Sequence, residues 1–130
     1  MSNFVLVDGD YLLLVDHINA QLWLPTGGHV EQNEHPREAA RREAREELGI
    51  DCEFIREAPY LITATETVGI TSGHTDVSIW YALKGSRKMA FQYDNSEFSE
   101  IRWFHKDEVP MNRTDPEMGR FIKKLHEAAN

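Results

Sequence analysis

Three glutamates lie close together in a segment whose composition favours a helix. Glu43, Glu46 and Glu47 fall within about 100° of one another on a helical wheel with 100° per residue. As like charges four residues apart, Glu43 and Glu47 cost an isolated helix roughly 0.2–0.5 kcal/mol. Clustered carboxylate oxygens are the ligands that a hard divalent cation such as Mg²⁺ or Mn²⁺ prefers. The alternative is an exposed, charge-rich helix in which Arg42 pairs with Glu46.

The residues around these glutamates follow a fixed spacing. Gly28 is followed by five residues and then Glu34, and seven more residues lead to Arg-Glu-Ala-Arg-Glu-Glu-Leu-Gly-Ile at 42–50. This pattern resembles the Nudix box, although Ala44 stands where the family usually has a larger aliphatic residue. At roughly 7% per residue type, seven such identities arise at a given start by chance with a probability of about 10⁻⁸. The matching positions are Gly28, Glu34, Arg42, Glu43, Glu46, Glu47 and Gly49.

The resemblance implies a role for each matching residue. Glu43, Glu46 and Glu47 would bind Mg²⁺ or Mn²⁺, and a main-chain carbonyl near Gly28 would complete the metal shell. Gly28 would also contact the substrate. Bound cations lower the pKa of water, and Glu43 or Glu46 could take its proton. By the same resemblance, two further residues, Glu34 and Arg42, hold the loop against the helix by a salt bridge, and Gly49 ends the helix.

Residues outside the box add weaker candidates. Glu97 precedes a predicted strand, and in similar proteins an acidic residue near this point is a metal ligand or a base; Glu100 is the alternative. Trp23, close to the glycines, is a candidate for stacking on a nucleobase. His74 could reach a phosphate. Each also has a structural interpretation: a solvated carboxylate, a core aromatic ring or a polar loop residue. The same two interpretations apply to the aromatic residues Tyr60, Trp80, Tyr81 and Phe91.

The elements before the box are predicted to be strands. The apolar runs Phe4–Val7 and Tyr11–Val15 flank Asp8-Gly9-Asp10, which is a hairpin signal. A short strand at Leu22–Leu24 should end at the following proline. Thr26–Gly28 is expected to be a turn that leads into the loop before the box helix.

Two helices and further strands are expected after the glycines. Pro36 suits the first position of a helix that runs to Leu48, with Gly49 as its C-terminal stop. Asp115-Pro116 should open a second helix, which carries the apolar stripe Met118, Phe121, Ile122 and Leu125. The predicted strands are Cys52–Ile55, Tyr60–Thr67, a half-buried alternating stretch from Asp76 to Tyr81, and Phe98–Phe104, with loops at Lys84–Lys88 and Asp94–Glu97.

This order of elements indicates an α/β protein with a mixed sheet covered by helices. The length of 130 residues predicts a single domain, residues 1–130. The resemblance implies an alpha/beta/alpha sandwich of the Nudix type, with a loop–helix–loop catalytic motif and a C-terminal helix. The order is similar to that of small MutT-like members of the family.

Composition narrows the classes of function. The net charge is −8, which argues against a protein that coats a nucleic-acid duplex. The apolar runs are too short to span a membrane. The single cysteine, Cys52, excludes an intrachain disulfide and a multi-thiolate zinc site. It also fits a reducing cytoplasm, as does an N-terminus without the basic region of a signal peptide.

The resemblance implies magnesium-dependent hydrolysis of a nucleoside diphosphate linked to another group. A nucleoside triphosphate pyrophosphohydrolase of the MutT-like kind, acting on unmodified or oxidised nucleotides, is the first expectation. ADP-ribose, nucleotide sugars and dinucleoside polyphosphates are alternative substrates, and a nucleotide-binding module without activity is a further alternative. A homodimer is compatible with the family. Which glutamate acts as general base, and how many metal ions bind, stay open.

Overall fold

A computed structural model describes residues 1–66 and 75–128 of the chain. Within these residues a mixed seven-stranded sheet lies between two α-helices, which confirms the predicted α/β class. The strands are β1 (Ser2–Asp8), β2 (Tyr11–His17), β3 (Leu22–Leu24), β4 (Thr26–Gly28), β5 (Leu61–Glu66), β6 (Thr75–Lys84) and β7 (Phe98–His105). The helices are α1 (Pro36–Leu48) and α2 (Met118–Ala128), with a short 3₁₀ helix at Met111–Arg113.

The sheet is built around β1. Its main order is β3-β2-β1-β6-β5, with β7 on the other side of β2. β1 runs parallel to β6 and antiparallel to β2, to which it is joined by the predicted hairpin. Gly9 has φ +59° in that turn, a conformation that glycine adopts without steric cost. The central strand therefore has hydrogen-bonded neighbours on both edges.

The segment predicted to be a turn at Thr26–Gly28 is a strand instead. β3 pairs with β2, and after Pro25 the chain continues as β4, which pairs with β1 through Phe4↔Thr26 and Ser2↔Gly28. Glycine disfavours strands when judged locally, but here the ladder with β1 supplies the hydrogen bonds. As a result, the glycines before the box are part of the sheet, directly beneath α1.

Helix α1 begins and ends where the sequence predicts. The His35 side chain caps its start, because Nδ1 accepts the Arg37 N–H at 3.0 Å. Gly49, with φ +67°, donates its N–H to the carbonyls of the last turn. Ala40, Ala44 and Leu48 are buried and pack on one face of the sheet, here called the α1 face. Two of these three contact residues are alanines, so the helix backbone can approach the sheet closely.

Helix α2 covers the opposite face, here called the α2 face. The predicted stripe is present: Met118 and Phe121 are fully buried, and Ile122 and Leu125 pack beside them. The helix itself starts at Met118 rather than at Asp115-Pro116. Asp115 still acts as a cap at the turn before it, since its carboxylate accepts the Glu117 N–H at 2.8 Å.

Three further expectations need correction. Cys52–Ile55 is not a strand; in it Phe54 forms an isolated bridge with Leu83. Trp80, expected on the outer side of an alternating strand, is fully buried, because both faces of β6 are covered near its end. Lys84 belongs to β6 rather than to the following loop. Among the described residues, no helix is long and apolar enough to cross a membrane.

Candidate functional site

Arg42 is the centre of a charge network that joins the loop before α1 to the helix. Its guanidinium donates twice to Glu34, at 2.9 and 3.1 Å, and once to the His29 carbonyl at 2.9 Å. Nη1 donates to Glu43 at 3.0 Å and to Glu46 at 3.2 Å. This pairing lowers the pKa of Glu34 and raises that of Arg42. The salt bridge expected between Glu34 and Arg42 is present, and it fixes the loop on the helix.

Gly28 leaves room for the Glu43 carboxylate. A Cβ atom added at Gly28 would overlap with Oε1 and Cδ of Glu43. Glu43 therefore lies against the backbone of β4, with its side chain only 12% exposed. The absence of a side chain at Gly28 is a geometric requirement of this contact, because any other residue would displace the carboxylate.

Glu47 lies one turn further along α1 and forms a group of carboxyls with Glu43 and Glu97. Burial, a hydrogen bond to Glu43 and the charges of Glu43 and Glu97 raise the pKa of Glu47 to about 9, although the Gly27 N–H opposes this. Like charges held close in a partly dry place cannot all be ionised. At neutral pH, Glu47 therefore carries a proton that it donates to Glu43.

The structure brings Glu97 to this site from a distant part of the chain. Its carbonyl accepts the Ile18 N–H at 3.2 Å, and its own N–H donates to the Asp94 carbonyl at 3.1 Å. Ser96 N–H and O–H also donate to the Asp94 carboxylate, which shapes the loop before β7 and lowers the pKa of Asp94. Glu46 differs from its neighbours, since its side chain is 58% exposed beside Arg42.

The site was tested for its fit to a divalent cation. Among residues 1–66 and 75–128, no group of three His, Cys, Asp or Glu side chains is arranged to hold a metal ion together. The donor chemistry nevertheless fits Mg²⁺ or Mn²⁺, because the cluster offers carboxylate oxygens. The proton shared by Glu47 and Glu43 marks a place where added positive charge would be favourable. In their present rotamers Glu43 and Glu46 pair with Arg42 instead.

Other predicted site residues are not brought to the carboxylates. Trp23 is 5% exposed and packs edge-to-face against Phe104 in the α2-face core, so its ring has no open face for a nucleobase in this structure. Arg102 lies 5.1 Å from its ring centroid. Glu100 pairs with Arg102 at 3.0 Å. His74 lies outside the described residues.

The remaining aromatic candidates are mainly core residues. Trp80 and Tyr81 are buried on opposite faces of β6, and Phe91 packs against the α1-face core. Tyr60 is 5% exposed and stacks beneath Arg56, whose guanidinium carbon is 3.7 Å from the ring centroid. The structural interpretation of these rings therefore agrees with their placement.

Two supporting residues were missed from the sequence. Ser2 is fully buried, and its Oγ donates to the Pro36 carbonyl at 2.6 Å, which ties the start of α1 to β1. The Glu31 N–H donates to Glu34 at 3.0 Å and closes the loop before the helix. No local pattern marks Ser2, because its partner is 34 residues away.

Comparisons with known proteins agree with this geometry. The family model described as NUDIX domain matches residues 2–125. A search of curated protein sequences returned no match.

Among solved structures, the chain is similar to a MutT NUDIX hydrolase from Burkholderia pseudomallei, with 21% identity, a TM-score of 0.77 and 95% of both chains covered. It is also similar to the E. coli dihydroneopterin triphosphate pyrophosphohydrolase, with 18% identity, a TM-score of 0.76 and coverage of 95% of this chain and 92% of that one. The NUDIX domain of Shewanella oneidensis NrtR, solved with ADP ribose, has 18% identity and a TM-score of 0.74, with coverage of 99% and 86%. At these identities the likeness shows the fold.

Proposed function

This chain belongs to the NUDIX family of hydrolases, and on that premise we propose that it hydrolyses a nucleoside diphosphate linked to another group, with Mg²⁺ or Mn²⁺ as cofactor. The first substrate class we propose is a nucleoside triphosphate, which would be cleaved as by a MutT-like pyrophosphohydrolase. Oxidised nucleotides belong to this class. The family match confirms the prediction of a Nudix hydrolase, and the substrate and metal are the proposed part.

The observation that carries the proposal is the group of carboxyls at the junction of α1 and β4. Glu43 lies in the space that Gly28 leaves, Glu47 shares a proton with it, and Glu97 faces them from the loop before β7. Arg42 holds Glu43 and Glu46 on the same side of the helix. A surface helix that served only solubility would not need this arrangement, because clustering of buried carboxyls is unfavourable without a cation.

We propose Glu43, Glu46 and Glu47 as the residues that hold the cation, with a main-chain carbonyl at Gly27 or Gly28. When bound, such a cation supplies positive charge for the diphosphate oxygens and lowers the pKa of water nearby. The network of Arg42 and Glu34 keeps the carboxylates in position. A carboxylate of this set, Glu43 or Glu46, takes the proton of the water that attacks phosphorus. The bond from phosphorus to the bridging oxygen breaks, and a phosphate-bearing group leaves.

The substrate class rests on size and on the likeness to solved structures. The chain and the Burkholderia MutT NUDIX hydrolase cover 95% of each other, so there is little room for an added recognition domain. A second neighbour is named for a triphosphate substrate, dihydroneopterin triphosphate. The complex of the NrtR domain with ADP ribose keeps ADP-ribose among the substrates to be tested.

The test is phosphate or pyrophosphate release from a panel of compounds. The panel contains the unmodified nucleoside triphosphates, 8-oxo-dGTP, ADP-ribose, a nucleotide sugar and a dinucleoside polyphosphate. We expect turnover of at least one triphosphate with Mg²⁺ or Mn²⁺ and none with EDTA. Glu46→Gln should lose most of the turnover. Glu38→Gln, an exposed change on the same helix, should keep it.

The outcomes separate the alternatives. Turnover of ADP-ribose or a nucleotide sugar, with triphosphates untouched, would replace the proposed substrate class and leave the reaction intact. Saturable binding of a nucleotide without hydrolysis would point to a binding module. Full activity of Glu46→Gln would contradict the proposed metal ligands.

The remaining predictions concern partners and location. We propose a small nucleotide as the partner at the site, because the neighbour solved with ADP ribose binds a ligand of this chemistry. A homodimer and a cytoplasmic location stay predictions from the resemblance and from the single cysteine.

A further inference from the structure

A second concave site lies at the other end of the sheet. It is a cavity of about 410 Å³ between the end of β1, the turn that follows it, the end of β6 and the last turns of α2. A volume of this size is within the range of small-molecule sites, roughly 300–1,000 Å³. None of its described lining residues belongs to the Nudix box.

The cavity is separated from the carboxylates in two ways. Its apolar residues belong to the α2 face, whereas α1 covers the opposite face. Along β1, Ser2 is beside the start of α1, and Asp8 is at the cavity. At about 3.3 Å per strand residue, these two positions are roughly 20 Å apart.

The floor of the cavity is apolar. Leu12 from β2, Ile55 and Tyr60 from the loop before β5, and Ile122 and Leu125 from α2 all line it. Ile55 is 37% exposed, so part of this surface meets solvent. The flat ring of Tyr60 and the aliphatic side chains suit a compact apolar or aromatic body.

The mouth of the cavity has a surplus of positive charge. Lys84, Lys106 and His126 line it together with Asp8 and Asp10. Asp8 already accepts the backbone N–H of Arg87 at 2.9 Å and lies 3.4 Å from its guanidinium. The ammonium of Lys106 is 3.7 Å from Asp10 and 3.3 Å from Nδ1 of His126.

Lys84 adds a more exposed cation to this mouth. Its Nζ atom is 3.5 Å from Glu53, a side chain that is itself 84% exposed, so this pair is screened by solvent. With Asp8 paired to Arg87, the cationic groups around the opening exceed the carboxylates. An acidic group on a ligand would therefore be attracted to the side of the mouth formed by Lys84 and Lys106.

The position also agrees with a general rule for sheets of this kind. β1 and β6 are parallel neighbours in register from Ser2↔Ile79 to Val7↔Lys84, and their carboxyl ends meet at the cavity. Ligands of α/β proteins bind preferentially beyond the carboxyl ends of parallel strands. Backbone groups and loops converge there without closing the space.

We propose that this cavity is a ligand site, distinct from the hydrolytic site, for a small amphiphilic anion: an apolar, flat body that enters between α2 and Tyr60, with one acidic group at Lys84 and Lys106. The site does not depend on the proposed substrate of the enzyme. It would bind its ligand equally in a protein whose box carboxylates are changed.

The test uses 8-anilinonaphthalene-1-sulfonate as the probe and N-phenyl-1-naphthylamine, its counterpart without the sulfonate, as the comparison. We expect saturable binding of one sulfonate probe per chain and at least tenfold weaker binding of the uncharged compound. Leu125→Trp, which fills the floor, should weaken binding at least tenfold. Lys106→Met should weaken it about threefold to tenfold. Lys88→Met, an exposed lysine outside the cavity, is the matched control and should have no effect.

A second measurement does not depend on the variants. In ¹H–¹⁵N spectra of the wild-type protein, the probe should shift the amides of Gly9, Gly85 and the end of α2, and leave those of Gly27 and Gly28 in place. Hydrolysis by Lys106→Met should equal that of the wild type.

Three results would overturn the proposal. These are binding that does not saturate, equal binding of the charged and uncharged compounds, and shifts centred on α1 and β4. A failure of the Mg²⁺-dependent hydrolysis test would leave all of these readouts unchanged, so the two proposals can be judged separately.

Discussion

The two faces of the sheet are packed in different ways, and the difference separates chemistry from stability. On the α1 face, α1 contacts the sheet through Ala40 and Ala44, and carboxyls at its border reach the backbone of β4. On the α2 face, the fully buried Phe121 lies 5.4 Å, centroid to centroid, from Trp80. Small contact residues bring a helix close enough to place charged groups on the sheet, whereas large rings bury more apolar area.

This comparison predicts that the two faces respond differently to substitution. Changes on the α2 face should alter the free energy of unfolding and leave the rate per folded molecule intact. Changes at the border of the α1 face should alter the rate more than the stability. Each prediction below tests one side of this contrast.

The largest effect is expected from Phe121→Ala. The ring packs against Trp80 and Tyr60 at the centre of the α2-face core. Removal of a buried phenylalanine side chain costs about 3–5 kcal/mol, because it leaves a cavity. Urea denaturation should show this loss, and the rate per folded molecule should stay within about twofold of the wild type.

Phe54→Ala is the matched control, since Phe54 is only partly buried at the edge of the α1-face core. It should cost less than Phe121→Ala. An equal loss in both variants would show that the two faces do not differ in the way the packing indicates.

Gly28→Ala should lower the rate of hydrolysis about 100-fold, which corresponds to about 2.7 kcal/mol. The new methyl group would occupy the space of the Glu43 carboxylate. Because that carboxylate ends a flexible side chain, it can move away, and we expect a stability change below about 1 kcal/mol. Steady-state kinetics and thermal unfolding measure the two quantities.

Gly27→Ala sharpens this prediction. A Cβ atom at Gly27 would meet the backbone of Ser2 and Asn3, which cannot move without separating β4 from β1. This variant should therefore lose both stability and activity. Normal kinetics in Gly28→Ala would remove the geometric role given to that glycine.

The smallest effect is expected from Glu47→Gln, and it depends on pH. The folded protein holds the Glu47 proton with a pKa of about 9, whereas the ordinary value is 4.5. The folded state therefore binds more protons than the unfolded state between these values, and the contribution of Glu47 to stability falls as pH rises through this window. Glutamine keeps a donor toward Glu43 and cannot ionise, so the variant avoids this loss.

We expect Glu47→Gln with EDTA present to be more stable than the wild type by about 1–2 kcal/mol at pH 8.5, and by much less at pH 5. Urea denaturation at several pH values measures this difference. Glu38→Gln reports how much the loss of an exposed carboxylate alone contributes. A difference for Glu47→Gln that stays constant from pH 5 to pH 8.5 would contradict the shared proton.

Local signals in the sequence predicted much of the fold. The Asp8-Gly9-Asp10 turn, Pro36 and Gly49 each act over a few residues, and the structure has the hairpin and α1 where these signals place them. The strand at Thr26–Gly28 was missed, because its partner is β1, more than 20 residues away, and glycines carry no strand preference. Burial of Trp80 also depends on α2, which a period of two in the sequence does not include.

The site followed the same division. Fixed spacing was sufficient to group Arg42 with Glu34, Glu43 and Glu46, because these residues are within one loop and one helix. Glu97 could be named from the sequence as a candidate, but its approach to Glu47 depends on the pairing of β7 with β2. Trp23 was misjudged for a related reason, since its neighbour in space is Phe104 rather than the adjacent glycines.

β1 has a further consequence for how the molecule opens. Its residues pair with β6 along one edge and with β4 and β2 along the other, and Phe4, Val5 and Leu6 are essentially fully buried. Backbone amides in such a strand exchange with deuterium through global unfolding rather than local fraying. The same strand has the start of α1 at one end and the second cavity at the other. Both ends therefore belong to one cooperative unit, and either can be altered by substitution only through side chains that leave this slowest-exchanging strand intact.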